Sequence, residues 1–192
     1  KLASMEEIKA DVRKAKAERE KIVRKEKERK TALDKNVLRK ALKAGALYLF
    51  NERGANTSFE LYRNSLEEYG AGLCFTRESK QAIMDKYKLR KTAVRLITTE
   101  PVEGAYSPTS VSAIYGEAKD FVSKNEKGAI IIDGLVLIIN YAGFEQAYNL
   151  LVRVGDMIKP KKFACIIPLN LDALTKEQQK KLTSEFNTME GK

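Results

Sequence analysis

Three charged residues follow apolar segments of the sequence and could take part in ligand chemistry. Arg77 and Glu78 come directly after the segment 73–76, and Asp133 ends the apolar run 129–132. An acid at the end of an apolar strand is also how nucleotide-hydrolysing P-loop enzymes hold Mg²⁺. Because parallel strands present their carboxyl ends at one edge of a sheet, we expect these side chains to lie near one another. They predict either a structural ion pair between Arg77 and an acid, or a ligand cleft.

The segment 51–58 stands where a P-loop enzyme would bind phosphate, between the first apolar run and a predicted helix. It lacks the lysine and the glycines of G-x-x-x-x-G-K-[ST], and Glu52 within it would repel an anion. Arg53 and the backbone amides at the helix start, near Thr57 and Ser58, could still hold one phosphate. Nucleotide hydrolysis is therefore disfavoured, and nucleotide or anion binding without hydrolysis is an alternative.

The composition excludes several kinds of catalytic site. Histidine is absent from the 192 residues, so Ser-His-Asp and Cys-His pairs and histidine-bound metals are excluded. Cys74 and Cys165 each lie in a short apolar run, where a thiol behaves as a small buried hydrophobe. Most hydrolase templates are thereby removed, and we assign no catalytic residue, no metal site and no cofactor from the sequence.

A basic cluster occurs near the middle of the chain, and Tyr87 lies within it. Its members are Lys86, Lys88, Arg90, Lys91 and Arg95. These residues occur at the ends of predicted elements, where Lys and Arg also stabilise helix C-termini. We interpret the cluster as solvated surface, with contact to an acidic partner as the alternative.

From residue 45 onward, strand-like and helix-like segments alternate. Apolar runs predict strands at 47–50, 73–76, 94–98, 129–133 and 163–169, and the intervening segments have apolar faces at helical spacing. The pattern predicts an α/β domain over residues 45–192, with a doubly wound, mainly parallel five-stranded sheet and helices on both faces. Thr175 is predicted to cap a last helix whose apolar face carries Leu182, Phe186 and Met189.

Residues 1–44 differ in composition from the rest of the chain. They hold 16 basic and 8 acidic side chains and no Gly or Pro, so they carry +8 of the formal net charge of +10. This composition predicts a long charged helix. Ile8, Val12 and Ala15 follow coiled-coil spacing, but charged seam positions such as Arg19 would make any homodimer through this helix weak. Contact with nucleic acid or with anionic lipid is an alternative use of the helix.

Four blocks of the body match a known family. They are Gly45-Ala46-Leu47-Tyr48-Leu49, Gly72-Leu73-Cys74-Phe75-Thr76-Arg77, Ile131-Ile132-Asp133-Gly134-Leu135 with Gly143-Phe144-Glu145, and Ile167-Pro168-Leu169. In order and spacing they resemble the uncharacterised archaeal domain family DUF-835, over residues 45 to about 188. Two positions depart from the family pattern: Arg95 stands where members often have Trp, and Leu137 where they have an aromatic residue.

The resemblance implies a degenerate RecA-like or KaiC-like core that has lost its phosphate-binding loop. It places Glu78 near the position of the catalytic glutamate and Asp133 at that of the metal-holding aspartate. No enzymatic activity comes with it. It also implies a protein partner, and an arm that joins the domain to an upstream segment. We expect a cytoplasmic protein, associated with a membrane only through that upstream segment.

These observations together predict a non-enzymatic signalling or scaffold module that mediates protein–protein interaction. One alternative is a nucleic-acid or ribosome-associated factor that uses the basic arm, residues 1–44. The other is a nucleotide-binding regulator without hydrolysis, for which Arg77 and Asp133 would be needed. The abundance of Lys and Glu, with 25 and 19 copies, is typical of thermophile proteomes.

Overall fold

The computed structural model of the protein describes residues 42–191. The predicted helix over residues 1–44 and its weak coiled coil lie almost entirely outside the described residues. Within residues 42–191, no helix is long and apolar enough to cross a membrane.

Six strands form a single sheet in the order β3-β2-β4-β5-β1-β6, and each neighbouring pair is parallel. The strands are β1 (Ala46–Asn51), β2 (Gly72–Thr76), β3 (Thr92–Leu96), β4 (Lys127–Ile132), β5 (Lys162–Leu169) and β6 (Asn187–Glu190). The α/β class and the parallel sheet are confirmed, with one strand more than predicted.

Helices connect the strands. They are α1 (Asn56–Tyr69), α2 (Lys80–Tyr87), α3 (Val111–Lys124), α4 (Leu135–Ala142), α5 (Phe144–Ile158) and α6 (Lys176–Glu185), and a 3₁₀ turn covers Leu171–Ala173. Because a parallel crossover returns each strand to the same edge, the loops after β1, β2, β4 and β5 all lie at the carboxyl edge of the sheet.

The sheet is covered on both faces, as predicted. Successive side chains of a strand point to opposite faces. Ile130 and Ile132 of β4 therefore join the larger apolar core, together with residues of α3, α4 and α5. Ile131 is equally buried but lies outside that core, on the face where α1 packs against β4 and β5. Burial on both faces explains why the central strands are continuously apolar in sequence.

The end of the chain differs from the prediction. A capping box between Thr175 and Gln178 begins α6 as expected, but the helix ends at Glu185. Phe186 is extended, and the segment Asn187–Glu190 pairs with β1 instead of continuing the helix to Met189. This pairing satisfies backbone groups along an edge of β1 that would otherwise be open.

Ser107 and Pro108 have the sequence of an N-cap and a first helical position and predict a helix start there, but α3 begins later, at Val111. Tyr106 forms a parallel bridge with Ile97, and its carbonyl accepts a hydrogen bond of 3.0 Å from the Thr98 amide. This bridge extends the parallel pairing just beyond the end of β3 and keeps Tyr106 extended. The chain therefore needs a turn after Tyr106 before a helix can start. The turn is closed by the Ser110 amide, which donates to the Ser107 carbonyl at 2.9 Å.

Candidate functional site

A cleft of about 230 Å³ opens at the carboxyl edge of the sheet. The loops after β1, β2, β4 and β5 line it with Glu52, Arg53, Gly54, Ala55, Arg77, Asp133, Gly134, Leu135, Val136, Pro168, Leu169, Asn170 and Ala173. We call this the carboxyl-edge cleft. It lies at the place where open α/β sheets bind their ligands.

Asp133 and Arg77 meet in the cleft. An Nη of Arg77 lies 3.7 Å from Oδ1 of Asp133, and the Thr76 hydroxyl donates to Oδ2 at 3.3 Å. The Asp133 side chain is 8% exposed, whereas that of Arg77 is 58% exposed. The predicted ion pair is thus present, but its long distance and open cation leave most of the guanidinium available to a partner.

Burial controls the charge of Asp133. Removal of the carboxyl from water raises its pKa above the usual 3.8, and this effect outweighs the lowering by the positive charge of Arg77 and the hydrogen bond from Thr76. Glu78 also raises the pKa, by repulsion. The carboxylate of Asp133 is therefore held in the fold at some cost in free energy.

Glu78 does not line the cleft with the other two charged residues. Its amide donates to the Thr76 hydroxyl at 3.1 Å, and its carboxylate lies 3.5 Å from the ammonium of Lys86. The Glu78 side chain is thereby engaged on the surface with the end of α2. Of the three charges expected at this edge, the structure brings Arg77 and Asp133 together within the cleft.

Glu52 is the residue of the cleft whose role the sequence pattern missed. Its buried carboxylate accepts hydrogen bonds from the backbone amides of Thr57 at 3.1 Å and Ser58 at 3.0 Å, and another from the Ser58 hydroxyl. These are the amides that were predicted to hold a phosphate. The structure gives them to the chain's own carboxylate, so Thr57 and Ser58 do not form an anion site here.

One signal in the sequence could have indicated this. The residue at the N-cap of α1 is Ala55, which has no side-chain oxygen, and the first turn contains no acid. A helix start without a local cap needs another acceptor for its first amides. Glu52 is the nearest acid on the amino side of the helix, and it supplies that acceptor.

Arg53 lies at the rim of the cleft and is nearly fully solvated. Its side chain is 87% exposed, and an Nη lies 3.8 Å from a carboxylate oxygen of Asp172, which is itself 74% exposed. A pair so exposed contributes little to stability. Arg53 and Arg77 therefore both present guanidinium groups to solvent, beside an apolar wall that includes Leu135 and Leu169.

The predicted basic cluster divides into two parts. Lys86 pairs with Glu78, and Arg95 donates to Glu117 at 2.7 Å through both Nε and Nη. The rest of the cluster, Lys88, Arg90 and Lys91, lines a second cavity at the amino edge of the sheet. The structure thus separates cations that are paired with acids from cations that face a cavity.

The donor chemistry of the described residues limits what the cleft can do. Within residues 42–191, no three His, Cys, Asp or Glu side chains lie close enough together to hold a metal ion. Asp133 is hydrogen-bonded and ion-paired, and Glu52 is buried against a helix. The accessible groups are two guanidinium groups and an apolar wall, which suit recognition of an acidic, partly apolar segment.

The sequence was compared with known protein families and with curated proteins. The model of a family of proteins of unknown function, DUF835, matches residues 52–186. This match covers the cleft loops and the helices α1 to α6, whereas the strands β1 and β6 lie outside it. The search of the curated proteins gave no match. Since the match covers well over half of the chain, the protein belongs to DUF835, a family of proteins of unknown function.

Proposed function

We propose that this domain is a non-enzymatic signalling or scaffold module, and that it binds a segment of a protein partner in the carboxyl-edge cleft. The observation that carries the proposal is the position of Glu52. Its carboxylate accepts hydrogen bonds from the backbone amides at the start of α1. In a strand–loop–helix nucleotide site, the amides at this position bind phosphate. A bound phosphate would have to displace a buried charge that already has its hydrogen bonds.

The size of the cleft supports the same conclusion. A volume of about 230 Å³ is below the range of about 300–1,000 Å³ that is usual for small-molecule and cofactor sites. It is large enough for one or two side chains of a partner. The exposed guanidinium groups of Arg53 and Arg77 at its rim favour a partner with carboxylates near an apolar anchor.

The proposal also accounts for the resemblance to a degenerate RecA-like core. The order β1, loop 52–55, α1 is that of a strand–loop–helix unit, and Asp133 follows the central strand β4, which supports this view. Glu52 replaces the phosphate in this arrangement, and Arg77 pairs with Asp133. In this view the nucleotide site has been converted into a fixed structural element, and the cleft beside it is left for a partner.

Photocrosslinking of the full chain tests the proposal. A benzophenone amino acid is placed at Ala173, an exposed residue of the cleft, or at Lys119 on α3 as a control. In an extract of the cells from which the protein comes, we expect the probe at position 173 to form a discrete adduct with one protein. The probe at position 119 should form none. The Arg53→Gln/Arg77→Gln variant should lose this adduct while its melting temperature stays within a few degrees of the parent.

Nucleotides supply the opposing outcome. If Mg-ATP or Mg-GTP raises the melting temperature of the full chain, and Asp133→Ala abolishes the rise, the domain is a nucleotide-binding regulator and the present proposal is wrong. A strongly salt-dependent affinity for RNA or DNA that is lost on deletion of residues 1–44 would instead support a nucleic-acid factor.

A further inference from the structure

A second cavity, of about 500 Å³, lies at the edge of the sheet opposite to the carboxyl-edge cleft. The end of α1 and the segment between α2 and β3 form its walls. Four of its lining residues are cations, Arg63, Lys88, Arg90 and Lys91, and we call these four the cationic pocket. The other lining residues are Leu66, Glu67 and Gly70.

The cationic pocket carries an excess of positive charge. Four cations face the cavity together with the single carboxylate of Glu67, so three positive charges are in excess. None of the ion pairs within residues 42–191 includes Lys88, Arg90 or Lys91. Like charges on the walls of a concave site reinforce one another's field and attract an anion.

Two of these lysines have strained backbones. Lys88 has φ of 52° and Lys91 has φ of 51°, and within residues 42–191 they are the non-glycine residues with positive φ. This region is sterically unfavourable for a residue with a Cβ and favours glycine. Lys88 is the C-cap that follows α2, a position where glycine is common. Side chains that are kept at such positions in spite of strain are typical of functional sites.

We propose that the cationic pocket binds a small soluble anion that carries two or more phosphate groups. The volume lies within the usual range of about 300–1,000 Å³ for small-molecule sites. A phosphate group carries roughly one and a half to two negative charges within a few ångströms, so two groups neutralise the excess charge of the walls. The guanidinium groups of Arg63 and Arg90 suit bidentate contacts to phosphate oxygens.

Two other kinds of anion fit the pocket less well. An extended acidic peptide presents one charge about every 7 Å along one face, which is too sparse for three excess charges in one cavity. Single-stranded nucleic acid is usually held by base stacking in addition to phosphate contacts, and none of the residues that line the pocket is aromatic. The density of charge and the lining chemistry therefore favour a compact polyphosphate-type ligand.

The test uses the full chain with sodium tripolyphosphate as the probe, at physiological ionic strength. Backbone amide resonances in ¹H–¹⁵N spectra report where the probe binds, so that binding to the basic residues 1–44 is distinguished from binding to the pocket. We expect saturable shifts of Arg63, Gly70 and residues 88–92. The Arg63→Gln/Arg90→Gln variant should weaken binding at these resonances at least about tenfold, because each lost cation removes charge-assisted hydrogen bonds.

A second variant separates binding from folding. Lys88→Gly/Lys91→Gly removes two charges but adopts the same positive φ without the steric cost, so it should keep or raise the melting temperature while it weakens binding. Lys119→Gln/Lys124→Gln on α3 removes the same charge elsewhere and should bind like the parent. The proposal is overturned if the Lys88→Gly/Lys91→Gly variant binds tripolyphosphate as tightly as the Lys119→Gln/Lys124→Gln control. It is also overturned if no saturable shift occurs in the pocket, or if a polyglutamate peptide binds there more tightly than tripolyphosphate.

Discussion

The carboxylate of Glu52 accepts a hydrogen bond of 3.0 Å from the backbone amide of Ser58, six residues further along the chain. The contact replaces the missing cap of α1 and places a negative charge at the positive end of the helix dipole. The end of the chain covers it from outside: the Gly191 amide donates to the Asn51 carbonyl, and a Cβ at Gly191 would lie 2.7 Å from that of Glu52. The start of α1 is thus closed by residues from both ends of the domain.

Loss of this carboxylate should destabilise the domain. In Glu52→Gln, one oxygen can still accept an amide hydrogen, but the new NH₂ group faces a second donor in a buried position. We expect the free energy of unfolding in urea to fall by about 1–3 kcal/mol, the usual effect of an unsatisfied buried hydrogen-bonding group. Glu60→Gln, an exposed change on the same helix, is the control and should change it by less than about 0.5 kcal/mol. Equal effects of the two changes would mean that Glu52 is not a cap.

Asp133 should make stability depend on pH. Its pKa is raised in the fold by burial, so between 3.8 and the raised value the folded state binds more protons than the unfolded state. The contribution of Asp133 to stability is therefore fully present below pH 3.8. It is lost as the pH rises through the pKa of the folded state, with a slope of at most about 1.4 kcal/mol per pH unit.

The neutral variant Asp133→Asn isolates this effect. Its side-chain oxygen can still accept from Thr76, but it does not titrate. We expect the stability of the parent relative to this variant to decrease from acid toward neutral pH, as measured by urea unfolding at a series of pH values. A relative stability that rises with pH would show that the ion pair with Arg77 outweighs burial.

The strands and one charged contact of the site follow from simple sequence rules. Strands β1, β2, β4 and β5 coincide with apolar runs because they are buried on both faces. Arg77 lies beside Asp133 because the carboxyl ends of parallel strands meet at one edge of the sheet. The residues of β6 are Asn187, Thr188, Met189 and Glu190, which are mostly polar because this edge strand is largely solvated. Its pairing with β1 depends on tertiary contact, which local periodicity does not report.

Side-chain direction explains the rest of the difference. The positions of Glu78 and Glu52 in sequence suggest that both carboxylates face the ligand edge. Glu78 instead lies beside Lys86 at the far end of α2, and Glu52 turns inward to α1. The direction of each carboxylate is decided by a partner that lies outside the local motif. The spacing of the acids in the sequence therefore could not predict these directions.

Arg95 should contribute to stability through a small polar network. Its Nε donates to Glu117 at 2.7 Å, and the hydroxyl of Tyr106 donates to the other carboxylate oxygen at 3.0 Å. Because the Arg95 side chain is partly exposed, we expect a coupling energy of about 0.5–1 kcal/mol between Arg95→Met and Glu117→Gln in a double-mutant cycle. A coupling near zero would show that Arg95 acts only by packing against its neighbours.

The two thiols should be protected in the folded state. Both are fully buried, and burial raises the pKa of Cys74 and of Cys165, so little nucleophilic thiolate forms. At mildly alkaline pH, we expect modification by an aromatic disulfide reagent to be about a thousandfold slower than in concentrated urea, because each thiol reacts only when the structure opens.

The variants Cys165→Ala and Cys74→Ala report each thiol separately. Cys165 lies on β5, which is paired on both sides with long strands β1 and β4, whereas Cys74 lies on β2 beside the short edge strand β3. Local opening of the β3 edge should therefore expose Cys74 more often, and Cys74 should react faster than Cys165 in native buffer. Equal rates, in variants of equal stability, would mean that both thiols are reached only through global unfolding of the sheet.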